Sequence, residues 1–271
     1  MTDQLIERIE DGVATLTLNR PEARNALTDE MQTALQEAIP RLAGDRDVRV
    51  VVITGAGRAF CAGGDVKGFA AATAARDGGG ETERFSLEQR AHGLRRASDV
   101  VRWLHEMPKP TLAVIPGPAA GAGLSIALAC DLRIAADDAK LTTAFSKVGL
   151  AGDYGGSYFL TQLVGAAKAR ELYFTADVIT GKEALALGIV NKAVPADELD
   201  AVAHTYAHYL AGLPTLAIGY MKKNLNAAQT GTLSQVLDVE ATHMVRTMMT
   251  EDHKAASAAF VAKTKPVFNA R

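Results

Sequence analysis

The chain has few cysteines, few aromatic residues and almost no net charge. Two cysteines among 271 residues, Cys61 and Cys130, with no Cys-x-x-Cys, exclude a disulfide framework. They point to a reducing, cytosolic setting. Aromatic residues make up only 6%, so the core must be built from aliphatic and small side chains. With 29 Lys plus Arg against 31 Asp plus Glu, the formal charge of −2 gives no global field for gripping nucleic acid or an anionic membrane. An anionic ligand must therefore be met by locally placed cations. The opening MTDQLIERIEDG carries acids where a signal peptide needs a basic segment followed by an apolar one. A single charge-free stretch, residues 110–130, reaches the length of a membrane span, but it contains Pro116, Gly117, Pro118, Gly121 and Gly123. A strand, a turn and a buried helix fit it better.

What is abundant is small. Alanine supplies 49 positions and glycine 24, within a hydrophobic share of 48%. Such residues suit close backbone approach and helix-rich packing, and they argue against a β-sandwich. The 22% of charged residues excludes a disordered chain. The length suffices for a large core without disulfides or metal, as one α/β domain or one with a smaller appendage.

Residues 13–18 (VATLTL) alternate as a half-buried strand does. Thr28 is placed to cap a helix with Met31, Leu35, Ile39 and Leu42 at helical spacing, ending near Gly44. Residues 48–54 (VRVVVIT) read as a buried strand. Residues 70–83, rich in alanine and glycine, read as a mobile surface segment. One helix is expected through Leu94, Val101 and Leu104, ending before Pro108. Strands follow at 111–115 and 132–136, with a buried helix at 121–130 between them. Shorter helices are expected at 158–163, 168–174, 182–187 and 197–210, and Pro214 suits the first turn of another. Leu233, Val236, Leu237, Met244, Val245 and Met248 form an apolar stripe on one long helix. Pro195 marks a boundary, which divides the chain into a core at 1–196 and a helical region at 197–271. The class is α/β with an all-helical tail.

Two glycine loops carry the chemistry: VVVITGAGRAFCAGGDVKGF (50–69) and IPGPAAGAGLSIALACD (115–131). Small residues where a strand turns into a helix let backbone N–H groups approach a ligand, and the helix start adds partial positive charge. A dinucleotide fingerprint fails because Phe60 stands where G-x-G-x-x-G needs its third glycine. A hydrolase nucleophile elbow fails at Ala127, and Ser125 would lie within a helix. His204 and His208 are four apart on a helix but have no third ligand, and read as surface or packing residues. Cys130 reads as core, Cys61 as small filler, and Asp131 as a structural hydrogen-bonding residue.

Taken in order, NRPEARNAL (19–27), FCAGGDVKGF (60–69), GPAAGAGLSIALACDLRIA (117–135), AFSKVGL with GDYGGSYFLTQLVG (144–165), GKEALALGIVNKAV (181–194) and SAAFVAKTKPVF (257–268) resemble the enoyl-CoA hydratase/isomerase, or crotonase, family. The resemblance runs from about residue 10 to the end. It implies a spiral of β-β-α units followed by C-terminal helices that join protomers into trimers or paired trimers. It implies an acyl-CoA thioester substrate, with coenzyme A as part of that substrate and no separate cofactor or metal. The backbone N–H groups of Gly64 and Ala122 then form an oxyanion hole for a thioester enolate. Ala23, Arg24, Ala62, Asp65, Val66 and Lys67 line the CoA channel, with Arg24 and Lys67 facing phosphates. Lys263 and Lys265 either reach CoA in a neighbouring subunit or are solvated tail charges.

The two glutamates that hydratases of the family use fall at Ser125 and Phe145, so ordinary two-glutamate hydration is disfavoured. One acid remains, Asp153, in a loop that resembles the 1,2-epoxyphenylacetyl-CoA isomerase subgroup of phenylacetate degradation. Gly152 departs from that subgroup, which usually has proline there, implying a less rigid loop. Phe145, Leu150 and Tyr154 are expected to give Asp153 apolar surroundings that raise its pKa. Its alternative role is a turn or helix cap before Gly155 and Gly156. The readings left open are a double-bond isomerase, a hydratase with a non-standard acid set, and a non-catalytic CoA-ester-binding protein.

Overall fold

The computed structural model describes residues 2–64 and 86–271. The segment expected to be mobile, 70–83, lies outside the described residues. Strands β1 (Leu5–Glu10), β2 (Val13–Leu18), β3 (Val50–Gly55), β4 (Thr111–Ile115), β6 (Leu132–Ala136) and β9 (Lys192–Val194) form one sheet in the order β1-β2-β3-β4-β6-β9. β1 pairs antiparallel with β2, and every later neighbour is parallel. The β-branched run of β3 and all five residues of β4 are buried or nearly so, as a parallel sheet covered on both faces requires. A second sheet is made of very short strands, β5 (Ala119–Ala120), β7 (Lys140–Thr142) and β8 (Ile179–Thr180). Isolated bridges extend it backwards: Cys61 lies parallel to Ala119, and Leu27 to Gly64. Each turn of the chain thus adds one strand to the large sheet and a short one to the small sheet.

Helix α1 (Asp29–Gly44) starts at Thr28, whose hydroxyl accepts from the Met31 N–H at 3.1 Å. Met31, Leu35, Ile39 and Leu42 are fully buried along its inner face. The single helix expected around 94–104 is two, α2 (Leu87–Ala97) and α3 (Asp99–Glu106). Between them the Ser98 hydroxyl donates back to the Leu94 carbonyl at 2.8 Å, a local bond of the kind that competes with the helix ladder. α4 (Ala122–Ala129) is buried at all eight positions. The two short helices expected at 158–163 and 168–174 abut as α5 (Gly156–Thr175), separated by Gly165 at φ 75°. α6 (Gly181–Ala186) follows.

The chain closes with α7 (Leu199–Ala211), α8 (Thr215–Ala228), α9 (Leu233–Met248) and α10 (Glu251–Ala262). Pro214 is the cap before α8 rather than a member of its first turn. Two polar anchors, a buried lysine and a half-buried arginine, tie this region to the sheet. Lys222 donates to the Asp131 carboxylate at 2.8 Å and to the Leu104 carbonyl at 2.7 Å, while Asp131 also accepts from the Thr111 N–H at 2.8 Å. The Arg49 guanidinium donates to the carbonyls of Leu213 (2.7 Å) and Phe268 (2.6 Å). Asp252 completes the hold on the tail by accepting from the amides of Asn269 (2.7 Å) and Ala270 (3.1 Å).

Candidate active site

The site begins at a tight turn. After a short 3-10 turn at Pro21–Ala23, Arg24 and Asn25 both adopt left-handed backbone, at φ 51° and 57°. Asn25 tolerates this conformation, and its fully buried side chain holds the turn. Its Nδ2 donates to the carbonyls of Ala56 (3.0 Å) and Ala59 (2.8 Å), and its Oδ1 accepts from the Arg20 amide at 2.8 Å. The Ala62 amide donates to the Arg24 carbonyl at 2.9 Å, and the Leu27 amide to the Gly63 carbonyl at 2.8 Å. Three residues expected to line the CoA channel, Ala23, Arg24 and Ala62, are therefore side by side, with Arg24 exposed. Asp65, Val66 and Lys67 lie outside the described residues. Asn25 escaped the sequence reading although it positions this whole edge; an Asn inside NRPEARNAL carried no sign of burial.

The next turn of the spiral brings up the two candidate oxyanion donors. The Phe60 amide donates to the Pro118 carbonyl at 3.0 Å, and the Ala120 amide to the Cys61 carbonyl at 2.9 Å. A Cβ on Gly63, which sits at φ 91°, would lie 2.8 Å from the Ala120 oxygen and 3.5 Å from the Ala122 nitrogen. One on Gly123 would meet the Cys61 carbonyl at 2.3 Å. Only hydrogen atoms at these positions allow α4 to approach the Cys61–Gly64 segment. Gly121 at φ 53° makes the Ala122 amide the first of α4, where no intrahelical acceptor exists. Among the described residues neither the Gly64 nor the Ala122 amide donates to another group. Two free N–H groups on adjacent spiral turns are what a thioester oxyanion needs.

Asp153 sits in a strained loop. Gly152, Tyr154 and Gly155 have φ of 104°, 51° and 68°, and a positive φ at a bulky residue such as Tyr154 is rare. The Tyr154 hydroxyl donates to Gln32 Oε1 at 2.7 Å, which fixes the strained residue to α1. Gly152 cannot be replaced by proline at this φ, which gives the departure from the isomerase subgroup a backbone reason. Asp153 does not cap α5, because Gly155 is the cap and no side chain bonds there. Instead its Oδ1 is buried without a hydrogen-bond partner among the described residues. Burial raises its pKa above the ordinary carboxylate value. Of the three residues expected around it, Phe145 and Tyr154 are buried, whereas Leu150 is 57% exposed.

The two positions of the missing glutamates lie beside this acid. Ser125 is buried, its hydroxyl donating to the Gly121 carbonyl at 3.2 Å. Phe145 lies 3.6 Å from the Cβ position of Gly121 and stacks on Tyr173, with centroids 6.1 Å apart at 15°. Tyr173, which the sequence reading passed over as one more residue of a helix, feels the Asp153 charge and is pushed up to about 12, chiefly by burial. Cys61 and Cys130 are both free and buried, and burial pushes each thiol up to about 12, so neither serves as a nucleophile. His204 and His208 stack on each other at 4.1 Å, and among the described residues no acid or thiol joins them in a metal-binding group. Lys263 and Lys265 are exposed.

Comparison with known proteins bears directly on this arrangement. Residues 8–271 match the family described as enoyl-CoA hydratase/isomerase. The chain is 36% identical to the 1,2-epoxyphenylacetyl-CoA isomerase of Escherichia coli (strain K12) over the whole of both chains. It is 33% identical to the short-chain-enoyl-CoA hydratase of Clostridium acetobutylicum, covering 94% of each. Its structure resembles that of an enoyl-CoA hydratase from Polaromonas sp. JS666 with a TM-score of 0.88 and 34% identity, covering 97% of this chain and 99% of that one. The fold is accordingly the crotonase α/β spiral with C-terminal helices.

Proposed function

The chain belongs to the enoyl-CoA hydratase/isomerase family, and from that premise we propose that it is an acyl-CoA isomerase that shifts the double bond of an enoyl-CoA thioester. The observation that carries this reading is the buried, unpartnered Asp153 oxygen in a site with no other acid at the two family positions, Ser125 and Phe145. One carboxylate is enough for allylic migration. Ionised Asp153 removes a proton from the carbon next to the thioester carbonyl. The electron pair moves onto the thioester oxygen as a dienolate, held by the Gly64 and Ala122 amides. The protonated acid returns the proton two carbons along, and the carboxylate is restored. A raised pKa suits both halves of the cycle, because it makes Asp153 a stronger base and still a competent donor. Ala23, Arg24 and Ala62, with Asp65, Val66 and Lys67 beyond the described residues, are assigned to CoA.

Hydration by the same acid is the second reading, favoured by the hydratases among the relatives. Supplying 3-enoyl-CoA and 2-enoyl-CoA separately tests both. Bond migration supports isomerisation, water addition the second reading, and tight binding without turnover a non-catalytic CoA-ester binder. Asp153→Asn is expected to lower isomerase turnover by roughly 10²–10⁴ while CoA affinity is retained. Full activity in that variant would sink the assignment. The proposal includes a cytoplasmic site of action and a homotrimer or dimer of trimers.

A further inference from the structure

A second cavity, of about 650 Å³, lies between the end of α1, the start of α8 and the tail residues 269–271. Val48, just before β3, and Pro108 and Lys109, just before β4, line it. The candidate oxyanion donors follow the other ends of these two parallel strands. Five or six residues of strand, about 16–20 Å, separate the two places. Lys109 is the unusual group here. Only 6% of it is exposed, and among the described residues no carboxylate pairs with it. Its ammonium donates to the Leu42 carbonyl at 2.7 Å and to the Asp45 carbonyl, which occupies two of its three protons. Carbonyls offer partial charge, whereas a buried cation calls for an anion. Burial accordingly lowers the Lys109 pKa, and the Asp45 charge opposes this as the smaller effect. The Asp45 carboxylate is engaged elsewhere, accepting from the Asp47 amide at 2.9 Å. Arg46, Lys223 and Arg271 also line the cavity; all three are exposed, and among the described residues none is in an ion pair. These four cations outnumber Asp45 and Asp47 even with a terminal carboxylate at Arg271 counted. Between the charges, Leu216 and the Tyr220 ring give the lining an apolar side.

We propose that this cavity is a second binding site, separate from the candidate active site, and that it takes a small organic carboxylate. The head group accepts the third proton of Lys109, and the apolar body lies against Leu216 and Tyr220. A lysine is a compact point charge, which suits one anionic oxygen better than a broad polyanion. The exposed cations at the mouth favour entry of an anion and are screened by salt. A bare inorganic anion gains nothing from the apolar wall, and a neutral chain nothing from the buried charge. The proposal goes beyond the acyl-CoA reading and does not depend on it. The competing role for Lys109 is purely structural: it closes the last turn of α1 through its two carbonyls, and the cavity binds nothing.

Calorimetric titration of the full chain at fixed ionic strength tests this with hexanoate, hexanol and inorganic phosphate. Hexanoate is expected to bind saturably and about tenfold or more tighter than either of the others. Lys109→Met keeps most of the stem and removes the ammonium. It is expected to weaken hexanoate by about tenfold or more, the effect of losing a hydrogen bond to a charged group. Should Lys109→Met fail to fold, Leu216→Glu replaces it as the test. That position is 40% exposed, and a like charge on the wall is expected to weaken hexanoate about threefold to tenfold. Ala122→Pro, at the candidate oxyanion hole, is expected to leave hexanoate affinity within about twofold. Hexanoate that does not bind, or binds no better than hexanol or phosphate, overturns the proposal. So does affinity retained in Lys109→Met, or in Leu216→Glu where Lys109→Met does not fold. Affinity lost in Ala122→Pro would put the ligand at the other site and overturn it equally.

Discussion

A buried carboxylate oxygen without a partner is a liability to folding, and among the described residues Asp153 Oδ1 is one. Burial raises its pKa in the folded chain, and among the described residues no cation or donor compensates. The sign of the linkage follows. Below the unfolded carboxylate pKa the side chain is protonated in both states and costs nothing. As pH rises through the higher folded value, the folded chain must ionise a desolvated group, and stability is lost. Asp153→Asn removes that titration. Thermal unfolding should therefore give a higher Tm than the unaltered protein at neutral pH, and the gap should close as the pH drops below the ordinary carboxylate range. A Tm lowered at neutral pH would mean that the carboxylate holds the loop together and is not held in strain for a reaction. The sequence made Asp153 a candidate by its place in GLAGDYGG, but not its missing partner. That fact depends on Tyr154 at φ 51° and on Gln32, which lies far away in the chain.

At the scale of elements, α4 is the piece that supplies backbone to the proposed reaction site. Its first residue, Ala122, offers an amide that the helix itself cannot use. Proline is tolerated at that position, because the N–H it lacks has no helical partner. Gly121, at φ 53° and ψ −126°, mirrors the extended conformation that precedes proline and lacks the Cβ that would clash. Ala122→Pro thus deletes a single donor at little cost to the helix. A kcat lower by about 10²–10³ is expected, the usual effect of losing one oxyanion donor, with far-UV dichroism unchanged. Unaltered kcat in a folded variant would remove Ala122 from the oxyanion hole. The helix itself was legible in the sequence, as were β2, β3, β4, β6 and the capped start of α1. Each has a run of apolar residues or a cap chemistry to announce it. The small sheet was not legible. β5 and β8 are two residues long, too short for any periodicity, and the pairings of Cys61 with Ala119 and Leu27 with Gly64 arise only when the spiral stacks. The break at Ser98 was missed for a related reason, since serine is also tolerated inside helices.

For the whole molecule, the distribution of apolar surface is uneven. The core beneath the large sheet is closed, yet α9 turns a stripe to solvent: Leu237, Met244, Val245 and Met248 are each at least half exposed, and Met249, just past its end, more so. On α10, Phe260 and Val261 are more than 80% exposed. Exposed apolar residues in such a stripe suit a face that another protein covers. The stripe was visible in the sequence as helical spacing, but core and interface look alike there; only the fold separates them. We propose that this cover is further copies of the same chain, arranged around a symmetry axis. Light scattering at micromolar concentration should then give three or six times the single-chain mass. Replacing Leu237 and Met244 together by glutamate should shift that mass downward, because each partner would have to bury uncompensated charge. Both positions are exposed in the single chain, so the fold should survive the change with its dichroism intact. A single-chain mass for the unaltered protein would leave this stripe without its partner.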